Sequence, residues 1–354
     1  MSNKRTTIYD LARELGLSVS YVSKALNNKP GVSEKVRREV LKKVEELSYK
    51  HNTQAANLRR GSSRTLGVIV PHINQSFFSD AIAGMEKACA ENSHSLIICQ
   101  SQEKYETEKS AIETLIHQNV ACILISVSKE TQSKDALEQV INHGIQLIQF
   151  DRCIDSFDSH KVENDNLDAT YKAVKSMIGE GYKQIAFIGG PPHIYLFKQR
   201  KEGFIKAIRE AGLPIPYNFI VDDNLSKEDA FRVAMELLSL PSPPDAFFTI
   251  SDLQALGVLE AAKQNKKKVP QEVGIFGYAN EPFTQIIEPS ISTIDQKSED
   301  LGYRAAMVYF NEILGDKESS GFSNTLIESE LVIRQSSRKK CSIRCTTRPP
   351  YSQE

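Results

Sequence analysis

From Arg64 onward, short apolar runs alternate with amphipathic helical stretches, and this alternation constrains the fold class more than any other feature. The runs are TLGVIV (65–70), SLIICQ (95–100), ACILIS (121–126), QLIQF (146–150), QIAFIG (184–189), AFFTI (246–250) and VGIFGY (273–278). Between and after them, helical periodicity covers 77–92, 105–118, 130–143, 167–180, 197–211, 227–239, 253–265 and 297–315. Apolar runs of four to six residues without a period of two are strands covered on both faces, as in parallel sheets. Strands that alternate with helices predict doubly wound α/β units. The roughly 270 residues involved exceed one such unit, so two lobes are expected. The break falls near Arg152–Asn164, and the chain crosses back near Ser290–Asp295. These limits give a first lobe of 64–162 and 293–320 and a second of 163–292 and 321–336. The stretch NTLIESELVIR supplies a last strand, and residues 337–354 read as a disordered basic tail with Pro349-Pro350.

The first 50 residues follow a different pattern. In TTIYDLARELGLSVSYVSKALN, Thr6 and Thr7 can cap a helix whose inward face is Ile8, Leu11, Ala12 and Leu15. Gly16 ends it, because glycine takes the left-handed conformation without steric cost. Ser18 can cap a second helix with Val22, Ala25 and Leu26 turned inward and Ser20, Tyr21, Ser23, Lys24 and Asn27 turned outward. After the turn NNKPG, Ser33 caps a third helix with Val36, Val40, Val44 and Leu47 on its buried side. The first two helices form a helix-turn-helix, whose second helix would enter a DNA major groove. The same pattern would also serve an ordinary αα-hairpin with a solvated polar face. Residues 51–63 form a weakly apolar linker, helical at most from Thr53 to Arg60 and too short to be a stable helix alone.

The net charge of −1 conceals an asymmetry. Residues 1–60 carry 13 Lys/Arg and 6 Asp/Glu, whereas the remainder carries 31 and 39. A basic head on an acidic body suits a DNA-binding domain whose body avoids nucleic acid. No apolar run approaches the ~20 residues that span a bilayer. The basic N-terminus has no apolar signal core behind it, so a cytoplasmic location is expected and a secreted solute receptor is disfavoured. Cys89, Cys99, Cys122 and Cys153 sit in apolar segments, and none of the six cysteines has zinc-ligand spacing. The seven His are dispersed, and Gly189-Gly190-Pro191-Pro192 matches no phosphate-cradling loop. No enzyme, metal or cofactor is therefore expected.

With head, linker and two-lobed body in place, the chain resembles the LacI/GalR family of bacterial transcription regulators from about Thr6 to Ser336. The resemblance rests on the head segment and on N…AANLR…SRTLGVIVP, FF…AIAGME, GYKQIAFIGGPP…RKEGF and VP.EVGIFGY…PSISTIDQ, in that order. It implies a helix-turn-helix domain (1–50), a hinge (51–63) and a body (64–336) like periplasmic sugar-binding proteins. It also implies a homodimer that acts as an effector-controlled repressor on a pseudo-palindromic operator in double-stranded DNA. Val19, Ser20 and Lys24 match the positions that touch base edges, though Lys24 lacks the planar fork of the Arg found in many members. Thr7, Tyr21, Ser23 and Asn27 suit phosphates or packing. Residues 52–60, including Asn52, match the hinge helix. Leu58 stands at the minor-groove wedge, with Arg59 and Arg60 near phosphates.

The matching cleft positions are Phe77, Phe78, Arg152, Asp165, Arg200, Leu225, Asp252, Asn280 and Gln296. Helix packing is an equal alternative for Phe77, and helix capping for Asp252. Many sugar-binding relatives carry Asp after the GY of the strand VGIFGY, where this chain has Ala279. Together with Arg152 and Arg200, that change leans the expected sugar-like effector towards one bearing a carboxylate or phosphate, unless Asp151 or Asp165 pairs with a guanidinium. Tetrameric relatives end in a Leu-heptad helix, whereas residues 337–354 contain no Leu, which points to a dimer.

Overall fold

The structure, a computed structural model, describes residues 6–26, 28–47, 63–222, 226–315 and 321–339. Asn27, the hinge residues Asn52, Leu58 and Arg59, cleft candidate Leu225 and the tail from 340 lie outside the described residues. The chain divides into two compact units, Met1–Ser63 and Arg64–Glu354.

In the first unit, α1 (Ile8–Leu15), α2 (Val19–Leu26) and α3 (Glu34–Glu46) surround a core of Leu11, Ala12, Val22, Ala25 and Val40. Thr7 and Asp10 form a reciprocal capping box at the start of α1: the Thr7 N–H donates to the Asp10 carboxylate at 3.0 Å, and Thr7 Oγ1 accepts the Asp10 N–H at 3.3 Å. Gly16 sits at φ +62° with open space where a Cβ would be, so the backbone conformation alone selects glycine there. Ser18 Oγ accepts the Tyr21 N–H at 3.2 Å, and Ser33 caps α3 through the Val36 N–H. Each of these three helix starts thus has a local side-chain acceptor, as its sequence predicts.

The second unit holds two parallel sheets. The first lobe contains β1 (Thr65–Val70), β2 (Ser95–Gln100), β3 (Cys122–Ile125), β4 (Gln146–Phe150), β5 (His160–Asn164) and β11 (Asn324–Ile327), in spatial order β11-β5-β4-β3-β1-β2. Helices α4 (Ser76–Glu91) and α11 (Ser298–Val308) cover one face, where Leu66, Val68, Phe78, Met85, Leu124, Ile148 and Leu301 pack together. Helices α5 (Tyr105–His117) and α6 (Asp135–Asn142) cover the other, over Ile69, Ile112, Ile123, Leu137 and Val140.

The second lobe has β6 (Ile185–Ile188), β7 (Ile220–Val221), β8 (Ala246–Thr249) and β9 (Gly274–Phe276) in order β7-β6-β8-β9. Phe187, Phe248 and Phe276 face α7 (Asn166–Gly179) and α8 (Tyr195–Glu210). Ala186, Phe247 and Ile275 face α9 (Lys227–Leu238) and α10 (Asp252–Gln264). Successive residues thus point to opposite cores, which is why these strands read as unbroken apolar runs.

Two lobe assignments differ from the sequence expectation. Asn324–Ile327 pairs in parallel with β5 and belongs to the first lobe, not the second. Thr293–Asp295 forms β10, which pairs antiparallel with β12 (Glu330–Val332) in the second lobe, not the first. The single strand expected in NTLIESELVIR is therefore two, split at Glu328-Ser329 where the chain changes lobes. Three crossings result, after β5, after β10 and after β11.

Helices α4 and α11 approach through Gly84 and Gly302. A Cβ on Gly84 would overlap the Glu299 carbonyl oxygen, and one on Gly302 the Ala81 carbonyl oxygen. This backbone-to-backbone seam holds the returning segment against the first lobe.

Candidate functional site

On the head, Ser20 and Lys24 are exposed on the outer face of α2, while Val19, Tyr21 and Ser23 are half-buried. Val19 also packs against the head's core, so only part of it is free to contact a ligand. Thr7 stands exposed at the N-terminus of α1, its hydroxyl 2.7 Å from the Asp10 carboxylate.

In the body, parallel strands present their carboxyl ends to a cavity of about 360 Å³, walled by residues of both lobes. The first lobe contributes His72 and Gln75 after β1, Phe77 and Phe78 on α4, Glu103 after β2, Lys129 after β3, and Asp151 and Arg152 after β4. The second contributes Phe197 and Arg200 on α8, Ile250 to Leu253 after β8, Tyr278, Ala279 and Glu281 after β9, and Gln296 after β10. Six of the nine expected effector positions meet here: Phe77, Phe78, Arg152, Arg200, Asp252 and Gln296.

The backbone around the cavity is strained. Glu103 (φ +60°), Asp151 (φ +57°) and Ala279 (φ +115°) are non-glycine residues at positive φ, all just past strand ends. Such conformations persist only where surrounding contacts over-determine them, and they cluster at ligand sites.

Arg152 and Arg200 are committed within the chain. Arg152 Nη1 donates to both Glu103 oxygens at 2.8 Å, and Glu103 Oε2 also accepts the Lys129 N–H at 2.8 Å. The Arg152 guanidinium lies between two rings, 5.9 Å from the centre of Phe78 and 5.6 Å from that of Phe197. Arg200, 4% exposed, donates from Nε to Asn166 Oδ1 and from Nη1 to the Ile250 carbonyl, both at 2.9 Å. Its guanidinium stacks 3.6 Å from the centre of the Tyr278 ring, and the Tyr278 hydroxyl donates to the same Asn166 oxygen at 3.2 Å. Burial lowers the pKa of Arg200 from its usual value, opposed by Tyr278 and Asp151. Burial raises that of Asp151, opposed by Arg152 and Arg200. The partner that Arg152 was expected to find in Asp151, Asp165 or an anionic ligand is thus Glu103.

Asp252, 0% exposed, accepts the Thr293 hydroxyl at 2.7 Å and the Glu281 N–H at 2.8 Å. Burial pushes its carboxyl up to about 6. It does not cap α10; Ser251 does, accepting the Gln254 N–H. Gln296 Nε2 donates to Asn164 Oδ1 at 3.2 Å. Further hydrogen bonds bridge the lobes at the cavity: Ser76 Oγ donates to Glu281 Oε2 at 2.5 Å, and His193 Nε2 meets the Lys129 carbonyl at 2.6 Å.

Two expected residues do not line the cavity. Asp165 accepts the Ser329 N–H at 2.9 Å where β11 turns toward β12, which anchors a lobe crossing instead. Asn280 Oδ1 accepts from Arg334 Nη2 at 2.8 Å, and its amide faces Asp295, so its side chain is spent beside the cavity. Sequence reasoning missed Glu103, Phe197, Tyr278 and Glu281. Tyr278 follows the end of an apolar strand, and that position is a usable signal for a cleft residue. Among the described residues no group of three or more His, Cys, Asp or Glu side chains could hold a metal ion. Among them no helix is long and apolar enough to cross a membrane.

Residues 7–52 match the bacterial regulatory proteins of the lacI family, and residues 66–317 match the periplasmic binding protein domain. Over 332 residues the chain is 31% identical to the transcriptional repressor CytR of Escherichia coli K12, covering 94% of this chain and 96% of that one. It is 30% identical over 335 residues to the transcriptional repressor PurR of Pasteurella multocida, covering 94% and 99%. Among solved structures, the lac repressor dimer bound to operator and the anti-inducer ONPF aligns with a TM-score of 0.83 at 22% identity, covering 94% and 99%. The regulator CelR in complex with cellobiose aligns with a TM-score of 0.71 at 22% identity, covering 94% and 100%. At these identities the two structures establish the fold alone.

Proposed function

The chain belongs to the lacI family of bacterial regulatory proteins, DNA-binding transcriptional repressors and not enzymes, and from that premise we propose that a small hydroxyl-rich, carbohydrate-like effector in the interlobe cavity controls operator binding by a homodimer. One observation carries this reading. The cavity combines aromatic faces, Phe78 and Phe197, with buried side chains whose hydrogen-bonding capacity is only partly used. Among the described residues, Gln296 Oε1 and Asp151 Oδ1 accept no hydrogen bond, while Nη2 of Arg152 and of Arg200 donates none. Hydroxyl groups both donate and accept, so a polyol satisfies the two kinds of group together. An aromatic wall suits the apolar face of a sugar ring.

The effector acts by lobe closure. The Ser76–Glu281 and His193–Lys129 bridges are the contacts that a hinge motion makes or breaks. On DNA, Ser20 and Lys24 of each protomer read base edges, with Val19 adding an apolar contact. Thr7, Tyr21, Ser23 and Asn27 fix the register on phosphates, Asn52 and Leu58 engage the minor groove between the half-sites, and Arg59 lies near phosphates.

The test uses full-length protein and a labelled duplex from its own regulatory region, compared with a random duplex across a salt series. Leu58→Ala is expected to weaken operator binding by about tenfold or more, because the wedge stabilises a bent geometry that random DNA does not adopt. Random-duplex binding should change by no more than about twofold, since phosphate contacts supply it. Equal losses on both duplexes would refute the wedge. An operator affinity unaffected by every sugar and sugar derivative tested would refute the effector class.

A further inference from the structure

Resting on the interlobe cavity as the effector site, we propose that the effector carries a basic nitrogen, seated at the end of the cavity formed by Glu281 and Asp252. Among the described residues, five carboxylates line the cavity against three cations. The cations have partners of their own: Arg152 pairs with Glu103, Arg200 donates to Asn166 and the Ile250 carbonyl, and Lys129 lies in the field of Asp229. Arg334 lies close enough to Asp252 to attract it, but does not line the cavity. Its guanidinium is turned to Thr284, the Ile291 carbonyl and Asn280.

Glu281 and Asp252 therefore face the cavity without a lining cation of their own, and they adjoin each other through the Glu281 N–H bond to Asp252. Glu281 is half-buried and within reach of a ligand, while Asp252, fully buried behind it, contributes its field. A second observation is independent of these carboxylates. Gln296, 4% exposed, lines the same cavity and its Oε1 has no donor among the described residues. An ammonium group has three donors and no acceptor, and it carries the positive charge that a net-negative lining favours. Replacement of the family's sugar-binding carboxylate by Ala279 does not empty this end, because Glu281, two residues on, returns a carboxylate to it. Glu281 also accepts from Ser76 across the seam, so a cation bound there sits at the junction that closure must tighten.

The test compares matched ligands on full-length protein by calorimetry. The panel pairs D-glucose, D-galactose and D-mannose with their 2-amino-2-deoxy counterparts and with the N-acetylated forms, which retain the substituent but lose the charge. At least one amino sugar is expected to bind about tenfold or more tightly than both its neutral counterparts, the size of one charge-assisted hydrogen bond. Glu281→Gln should erase that preference, with an unchanged thermal transition of the body as the control for folding. A neutral or N-acetylated member that binds as tightly as its amine overturns the inference and leaves the cavity reading intact. A panel in which nothing binds overturns both.

Discussion

Arg200→Met is expected to abolish the effector response and to lower the melting temperature of the body. The buried guanidinium spans three neighbours: Asn166, the Ile250 carbonyl and the face of Tyr278. It also lowers the cost of keeping Asp151 buried, since among the described residues the Asp151 carboxylate accepts one hydrogen bond, from Ser126 at 3.2 Å. Methionine fills much of the volume but supplies no donor and no charge. Removing one member of a buried charged set costs roughly 3–5 kcal/mol, because the remaining charge stays uncompensated. The head has its own core of Leu11, Val22, Ala25 and Val40, so its DNA contacts should survive at temperatures where the body remains folded. Arg200→Lys should recover part of the thermal loss, because it restores the charge without the fork. The measurements are thermal unfolding and DNA affinity with and without effector. A methionine variant that melts and responds like the parent would contradict the assignment.

Gly302→Ala should be among the most destabilising single-methyl additions in the body. Its Cβ would overlap the Ala81 carbonyl oxygen and would lie 2.5 Å from the carbonyl carbon and 2.7 Å from Cα of the same residue. Those are backbone atoms in the middle of α4, and no flexible side chain can give way. The α4–α11 seam must open, and with it the packing of Phe78, Met85 and Leu301. Overpacking of this kind costs roughly 3 kcal/mol. For a unit of this size, that corresponds to a fall of roughly 6–12 °C in Tm. Gly67→Ala serves as the comparison: its nearest neighbour is the Leu115 side chain, which can shift, so a smaller loss is expected. A Gly302→Ala protein that melts with the parent would show that the seam is looser than the structure has it.

Most of the secondary structure was legible because its signals are local. Thr7 with Asp10, Gly16, Ser18 and Ser33 mark helix ends within three residues of the groups they satisfy. Strands such as TLGVIV are covered by helices on both faces and announce themselves as apolar runs. Strand β5, HKVEN, was not legible, since Val162 is its one aliphatic residue and its pairing with β11 spans more than 160 residues of chain. Local pattern also could not decide which sheet takes each half of NTLIESELVIR, because both halves are short apolar strands.

At the cavity, the family resemblance singled out Phe78, Arg152, Arg200 and Gln296, all of which line it. The ion pair between Glu103 and Arg152 joins residues 49 apart, and no spacing rule relates them. Asn280 lies between the lining residues Ala279 and Glu281, but its side chain turns to Arg334, while Asp165 is taken up by Ser329 at a lobe crossing.

The central claim is that two copies of this chain recognise a specific, symmetric DNA site. Full-length protein mixed with a pool of randomised duplexes, with the bound fraction sequenced, tests that claim most directly. The account predicts enrichment of two inverted half-sites at fixed spacing, with affinity falling steeply as salt rises, because the basic head displaces counterions from phosphates. A bound fraction with no common sequence, or with a single half-site lacking an inverted mate, would contradict it.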